Sequence, residues 1–285
     1  MAEMMQGNGH RSRGLAVALV SAKGSPGVTT TAVGLAARWL RPGALVVEAD
    51  PAGGDLGARF GGDVERGLAA VALDSRDGDG GLEPQRWVQT LPCGVPALLA
   101  PPGVQAQASL EVLAGQAKRM LSTLAVAYPA VLVDAGRWSP GSPAEVLISA
   151  ADVLLVLARP TLEELSQIEA RADRLRALAG DVRLLLVGDS PWPAVEVAAR
   201  LRLPVTDVLP NDRHGAAVLS GRSVPRRGWA STGWTRLPLL RACRGLAGTL
   251  YGSSPHATAP PPGTPPAVPP APQVLRSPAE KAVRQ

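Results

Sequence analysis

Between Leu15 and Ala32 the chain reads Leu-Ala-Val-Ala-Leu-Val-Ser-Ala-Lys-Gly-Ser-Pro-Gly-Val-Thr-Thr-Thr-Ala. An apolar run feeds a glycine-containing loop, and the loop feeds a segment with helical character. This arrangement suits an anion. A helix N-terminus presents unpaired N–H groups and the positive end of its dipole, which together attract a phosphate. Gly24 and Gly27 let the backbone come close to such a group. Thr29 opens the helix, where a hydroxyl is placed to hold Mg²⁺. The candidate cradle comprises Lys23, Gly24, Ser25, Pro26, Gly27, Val28, Thr29 and Thr30. The strict phosphate-loop pattern has a lysine directly after its second glycine, and here that position is Val28. Taken alone, the same residues also fit a tight strand–turn–helix connection.

Two acids lie where they would complete such a site. Asp50 follows the apolar run Ala44–Ala49, and Asp134 follows Ala130–Val133. Each in isolation reads as a turn or cap residue. Their joint occurrence at the ends of apolar strands favours one α/β fold family over two unrelated turns.

The elements that must position these residues follow from hydrophobic patterning. Strands are expected at Leu15–Ser21, Ala44–Ala49, Pro96–Ala100, Ala130–Val133, Val153–Ala158 and Val182–Val187, each nearly continuously apolar, as in strands covered on both faces. Helices are expected at Thr29–Leu40, Gln105–Val126, Pro143–Ala150, Leu162–Leu178, Ala194–Leu201, Arg213–Ser220 and Thr235–Leu250, with a short one near Gly67–Leu73. In Gln105–Val126 the residues Leu110, Leu113, Ala117, Met120, Leu121 and Leu124 form one apolar stripe. Alternation of this kind gives an α/β fold, a mostly parallel β-sheet flanked by helices on both faces. Residues 1–13 read as a flexible N-terminal arm and 14–251 as the folded domain. Residues 252–285 read as a disordered, Pro-rich C-terminal tail that buries too little apolar surface to fold.

The segment from Lys23 to Thr30 resembles the deviant Walker A motif of the ParA/MinD family, Lys-Gly-Gly-x-Gly-Lys-Thr-Thr. Lys23, Gly24, Gly27, Thr29 and Thr30 match; Ser25 replaces a glycine and Val28 the Walker lysine. Val-Val-Glu-Ala-Asp-Pro at 46–51 resembles the family's switch segment, with Glu48 in place of its first acid and Asp50 as the second. Val-Leu-Val-Asp-Ala-Gly at 131–136 resembles the Walker B strand end, with Asp134 facing the metal. Val-Leu-Pro-Asn-Asp at 208–212 resembles the family's segment near the adenine, which makes Pro210 and Asp212 candidate nucleotide contacts. The resemblance implies a P-loop NTPase of SIMIBI type that binds ATP and Mg²⁺. It implies Thr29, Asp50 and Asp134 around the metal, Asp50 positioning the attacking water, and a homodimer across the nucleotide in which Lys23 reaches the partner's phosphates.

Valine at position 28 removes one charge from that scheme. A charge-assisted hydrogen bond is worth about 1.5–3 kcal/mol, roughly 10- to 150-fold in affinity. Loss of a donor aimed at transition-state charge costs about 10²–10³ in rate. The expectation is an ATP-dependent dimerising switch that positions DNA or a cellular complex, with weak or absent hydrolysis. The alternative is a degenerate, non-hydrolysing scaffold resembling the TadZ/CpaE proteins of pilus and secretion-system assembly.

Composition narrows the remaining classes. The two cysteines, Cys93 and Cys243, exclude a disulfide scaffold and a Cys-rich zinc site. His10, His214 and His256 show no ligand spacing. No Gly-x-Ser-x-Gly elbow supports hydrolase chemistry. Glu163 and Glu164, after Pro160, read as surface acids favoured by a helix dipole. No 18-residue uncharged apolar run occurs, so no transmembrane segment is expected. Leu15–Ala22 is too short and too soon interrupted by Lys23 to be a secretory signal. The location expected is cytoplasmic, with association to the nucleoid or the inner face of the membrane through partners. The net charge of +5 is unevenly spread. Seven arginines and no acid lie between Arg213 and Tyr251, with Trp229 and Trp234 among them. Arg222, Arg226 and Arg227, flanked by Gly221, Pro225 and Gly228, are candidates for contact with non-specific DNA or a protein partner. A solvated face in an arginine-rich chain explains the same residues.

Overall fold

The computed structural model describes residues 13–76, 82–225 and 228–253. The expected arm (up to residue 12), most of the tail, and Arg226 and Arg227 lie outside the described residues. Arg13, the last residue assigned to the arm, donates through Nη1 to Asp152 at 2.9 Å.

In chain order the elements are β1 (Leu15–Ser21), α1 (Val28–Arg38), β2 (Leu45–Glu48), α2 (Leu56–Phe60), α3 (Leu68–Asp74), β3 (Gln89–Thr90), β4 (Pro96–Leu98), α4 (Val104–Leu113), α5 (Ala117–Ala127), β5 (Ala130–Arg137) and α6 (Glu145–Ala150). They continue as β6 (Val153–Ala158), α7 (Leu162–Glu169), α8 (Ala172–Leu178), β7 (Val182–Val187), α9 (Ala194–Leu201), β8 (Val205–Leu209), α10 (Arg213–Leu219) and α11 (Pro238–Gly252). The strands form one sheet in the order β3-β4-β2-β5-β1-β6-β7-β8. Every pairing is parallel except β3 with β4. The strand carrying the glycine loop thus lies between β5 and β6, inside the sheet, as its fully buried sequence requires.

Alternation along each strand divides the core in two. Leu15, Val17 and Leu19 of β1 face a layer with Val33 of α1, Val218 of α10 and Leu246 of α11. Ala18 and Val20 face the other layer, with Val71 of α3, Leu110 of α4, Met120 of α5, Ile148 of α6 and Leu175 of α8. Helices therefore cover both faces. On the first face α1 and α11 come close: a Cβ built on Gly34 would lie 2.9 Å from Cys243 Sγ. Arg244 of α11 donates to the carbonyls of Trp39 at 2.7 Å and Arg38 at 3.4 Å, at the end of α1.

Two expected helices are interrupted, and strand β8 adds to the expected strands. The helix read over Gln105–Val126 is interrupted by a 3₁₀ turn at Ala114–Gln116. Gly115 falls in it, and glycine disfavours a helix interior by about 1 kcal/mol relative to alanine. The stripe survives, with Leu110, Leu113, Ala117, Met120, Leu121 and Leu124 all buried. The helix read over Leu162–Leu178 splits into α7 and α8 at Ala170 and Arg171. Strand β8 has no counterpart among the expected strands, because Val205–Leu209 carries Thr206 and Asp207 and is half-exposed along the sheet edge.

Candidate functional site

Parallel strands deliver their C-terminal ends to one edge of the sheet, where ligands of α/β proteins bind. The loop after β1 lies at this edge. Gly24 has φ 72° and Gly27 φ 97°, conformations that a side chain would strain. Gly27 precedes α1 without a side-chain cap, and the first turn of α1 carries no acid. Its leading N–H groups are thus left for a ligand. A cleft of about 700 Å³ opens against them, lined by Gly24, Ser25, Gly27, Val28, Thr29 and Thr30. Asp50 to Ala52 beyond β2, Arg59 of α2, and Gly136 and Arg137 of β5 complete much of its wall.

The acids beneath the loop are crowded and dry. Asp134 is 2% exposed, and its Oδ1 accepts the N–H of Gly136 at 3.2 Å. The Thr29 hydroxyl also donates to it. Burial first, then the charges of Glu48 and Asp50, push its carboxyl up to about 7. Burial likewise raises Asp50, whose Oδ1 accepts the Ala52 N–H at 2.8 Å. Gly136 is obligatory beside it: its φ is +58°, and a Cβ there would overlap Asp50 Oδ2. Glu48 accepts the N–H groups of Asp55 at 2.7 Å, Leu56 at 2.8 Å and Ala100 at 3.0 Å. Burial still raises its carboxyl against those three bonds. Glu48 thereby ties β2 to α2 and to the residues after β4.

The remaining predicted residues fall in different places. Val28 is 6% exposed and packs in the α1-side core, although its edge reaches the cleft. Pro26 is buried and Lys23 exposed, and neither lines the cleft. Lys23 lies close enough to Glu163 to lower that carboxyl, after the larger effects of backbone and Thr161 hydrogen bonds. Pro210 and Asp212 do not line the cleft either. Asp212 is the N-cap of α10, accepting the N–H groups of Gly215 at 2.9 Å and Leu239 at 3.1 Å. Both its oxygens are thus committed to backbone amides. Arg222 is exposed, and its Nε donates to Ser220 Oγ at 2.9 Å. Trp229 and Trp234 stack edge-to-face at 5.5 Å against each other, and Trp229 meets Phe60 at 6.3 Å. That cluster belongs to the core margin, so these rings are not free platforms.

Sequence reasoning missed two arginines that clasp the loop. Arg137 donates to the Gly24 carbonyl at 3.3 Å, and Arg159 to the Ser25 carbonyl at 2.9 Å. The position of Arg137 directly behind Asp-Ala-Gly is a legible signal. Arg159 has none, because its reach depends on the return of the chain from β6. Glu164, expected at the surface, is 7% exposed. It accepts the Arg159 N–H at 2.7 Å, and a Cβ on Gly24 would lie 2.6 Å from its Oε1. Its burial under the loop, rather than a helix dipole, explains its place.

No protein-family model matches the chain, and no characterised protein matches it in sequence. Its fold, however, matches several solved structures. The ParA family ATPase of Chlorobium tepidum TLS is 18% identical, with a TM-score of 0.66 over 83% of this chain and 98% of that one. The cell division ATPase MinD of Pyrococcus furiosus is 16% identical, with a TM-score of 0.63 over 85% and 100%. A point variant of Cyanothece McdA, solved as an ATP complex, is 17% identical, with a TM-score of 0.62 over 84% and 97%. With its sheet order, its glycine loop and these likenesses together, the chain carries the ParA/MinD ATPase fold.

Proposed function

We propose that residues 14–251 form a nucleotide-binding domain that takes ATP with Mg²⁺ and uses it to control pairing of two copies and the positioning of a cargo. The observation that carries this reading is the uncapped start of α1 facing the cleft, with the Thr29–Asp134 pair at its foot. The donor set fits the ligand. Backbone N–H groups and two positive-φ glycines suit phosphate oxygens, while a hydroxyl and a desolvated carboxylate suit a hard divalent cation. Thr29 and Asp134 would hold Mg²⁺, and Asp50 would orient water around it. The ion, when bound, neutralises charge on the phosphates. Asp134, poorly satisfied by the chain itself, gains a partner for its charge in that state. The structures of Pyrococcus horikoshii MinD with Mg-ADP and of McdA with ATP support the same ligand class. Lys23, exposed beside the loop, is available to a second copy's nucleotide.

Val28 argues that turnover is slow. The side chain that would carry the catalytic charge is instead a core contact. That same observation favours the second reading, a nucleotide-indifferent scaffold. The exposed arginines Arg213, Arg222, Arg236 and Arg241, with Arg226 and Arg227, are the proposed contact to a polyanion such as DNA, through phosphates and without sequence preference.

Titration calorimetry with ATP and ADP in Mg²⁺, paired with size-exclusion chromatography, separates the two readings. The switch requires ATP binding and an ATP-induced dimer that Lys23→Ala abolishes without losing the nucleotide. A dimer indifferent to nucleotide identifies the scaffold. Turnover at ordinary rates that survives Lys23→Ala contradicts the slow switch.

A further inference from the structure

We propose that Arg137 supplies the positive charge that Val28 has lost, contacting the nucleotide phosphates from the β5 wall of the cleft. The inference rests on the nucleotide reading given above. It begins from a deficit. Position 28 is packed in the core at 6% exposure. Lys23 stands outside the cleft, near Glu163. Neither lysine position of the motif therefore places a cation in the space that a polyphosphate would fill.

Three arginines border the loop or the cleft, and their partners rank them. Arg159 is bridged to Glu164 at 3.5 Å, so a neighbouring carboxylate offsets its charge. Arg59 is paired with Asp55. Arg137 makes no ion pair among the described residues. Asp50 feels its charge only as the weakest of several influences, the largest of which is burial. Arg137 is exposed, and its side chain makes the long bond to the Gly24 carbonyl. A guanidinium has five N–H donors in a planar fork that matches phosphate oxygens, so most of its capacity is unspent.

The backbone under Arg137 is held firmly. Arg137 pairs in register with Ser21, the last residue of β1, and the Trp138 N–H donates to the Ser21 carbonyl at 2.9 Å. Gly136 is locked against Asp50 on the other side. The side chain therefore departs from a fixed point beside the loop and reaches its first glycine. Exchanging one long contact with a neutral carbonyl for paired bonds to an oppositely charged phosphate is favourable, because the guanidinium fork can meet two phosphate oxygens at once and gains the attraction of opposite charges.

The test is ATP–Mg²⁺ affinity by titration calorimetry, with thermal melting of the ligand-free protein, for wild type, Arg137→Ala and Arg137→Lys. The expected result is a loss of roughly 10- to 150-fold in Arg137→Ala, substantial recovery in Arg137→Lys, and an unchanged ligand-free melting temperature. Binding by Arg137→Ala within about twofold of wild type overturns the inference and leaves the nucleotide site standing. A lysine variant as weak as alanine, with lowered ligand-free melting in both, also overturns it, because the residue would then act only as a loop staple. Absence of ATP binding in wild type removes the site itself, and the inference with it.

Discussion

Glu48 and Asp134 sit opposite each other in register on neighbouring parallel strands, and each is 2% exposed. Their surroundings differ. Three backbone N–H groups close around Glu48 at 2.7 to 3.0 Å, two from the start of α2 and one from beyond β4. Asp134 accepts one N–H, at 3.2 Å, and a threonine hydroxyl. Burial raises both carboxyls, and that of Asp134 reaches about 7. Depth and strand position therefore do not separate the two acids; their hydrogen bonds do. Under the proposed function, the acid whose oxygens are filled by the chain's own amides is a strut, and the less satisfied one is the metal ligand.

The contrast can be broken in three ways. The largest effect belongs to Glu48→Ala. It leaves three N–H groups unpaired, two of them buried, at about 1 kcal/mol or more each, so denaturant unfolding should show a loss of roughly 3 kcal/mol. A loss below about 1 kcal/mol would refute the strut. Next comes Asp134→Asn, which preserves shape and removes a poorly satisfied charge. Ligand-free stability at neutral pH should equal or exceed that of wild type, since the variant no longer has to bury a charge, while ATP affinity in Mg²⁺ falls by roughly 10-fold or more. Equal affinity in the two proteins would take Asp134 out of the metal site.

The last test sharpens the comparison through pH. The folded chain retains a proton on Asp134 up to about 7, whereas the unfolded chain releases it near the ordinary value of 3.8. The folded state thus binds more protons between those values, and stability falls as pH rises through the window. The contribution is fully present below the unfolded value and is lost as pH climbs through the folded one. Glu48 and Asp50 are raised too and act in the same direction. Melting of the ligand-free protein should drop between about pH 5 and about pH 7.5, less steeply in Asp134→Asn. A slope unchanged in that variant would assign the pH dependence to the other carboxylates.

Much of this architecture was legible because the central strands are buried on both faces and so are apolar without interruption. β1, β6 and β7 have the bounds that their apolar runs predict. The edge strand β8 was illegible for the converse reason: half-exposed, it tolerates Thr206 and Asp207 and loses the signal. At the site, the glycine loop and the acids at 50 and 134 could be read because chain geometry forces them to lie at strand ends. Arg159 could not, since its contact with the loop is made across 134 residues of chain, and Glu164 meets Gly24 across a similar separation. Asp212 was ambiguous for a local reason, because the residue type that reads as a nucleotide contact is also a strong helix cap, the role it has at the start of α10.

The glycine at position 34 has a mechanical consequence. A helix beginning at the cleft and a helix bearing arginines meet there closely, with the Cys243 sulfur and the Leu219 methyl filling what a side chain would occupy. No soft layer separates them, and Arg244 fastens the far end. A displacement of the first turn of α1 is therefore expected to carry into α11 rather than to be absorbed at the contact. The sulfur at that seam, with burial pushing its thiol up to about 12, is a built-in gauge of the joint, silent toward alkylating reagents while the helices are locked and responsive once they part.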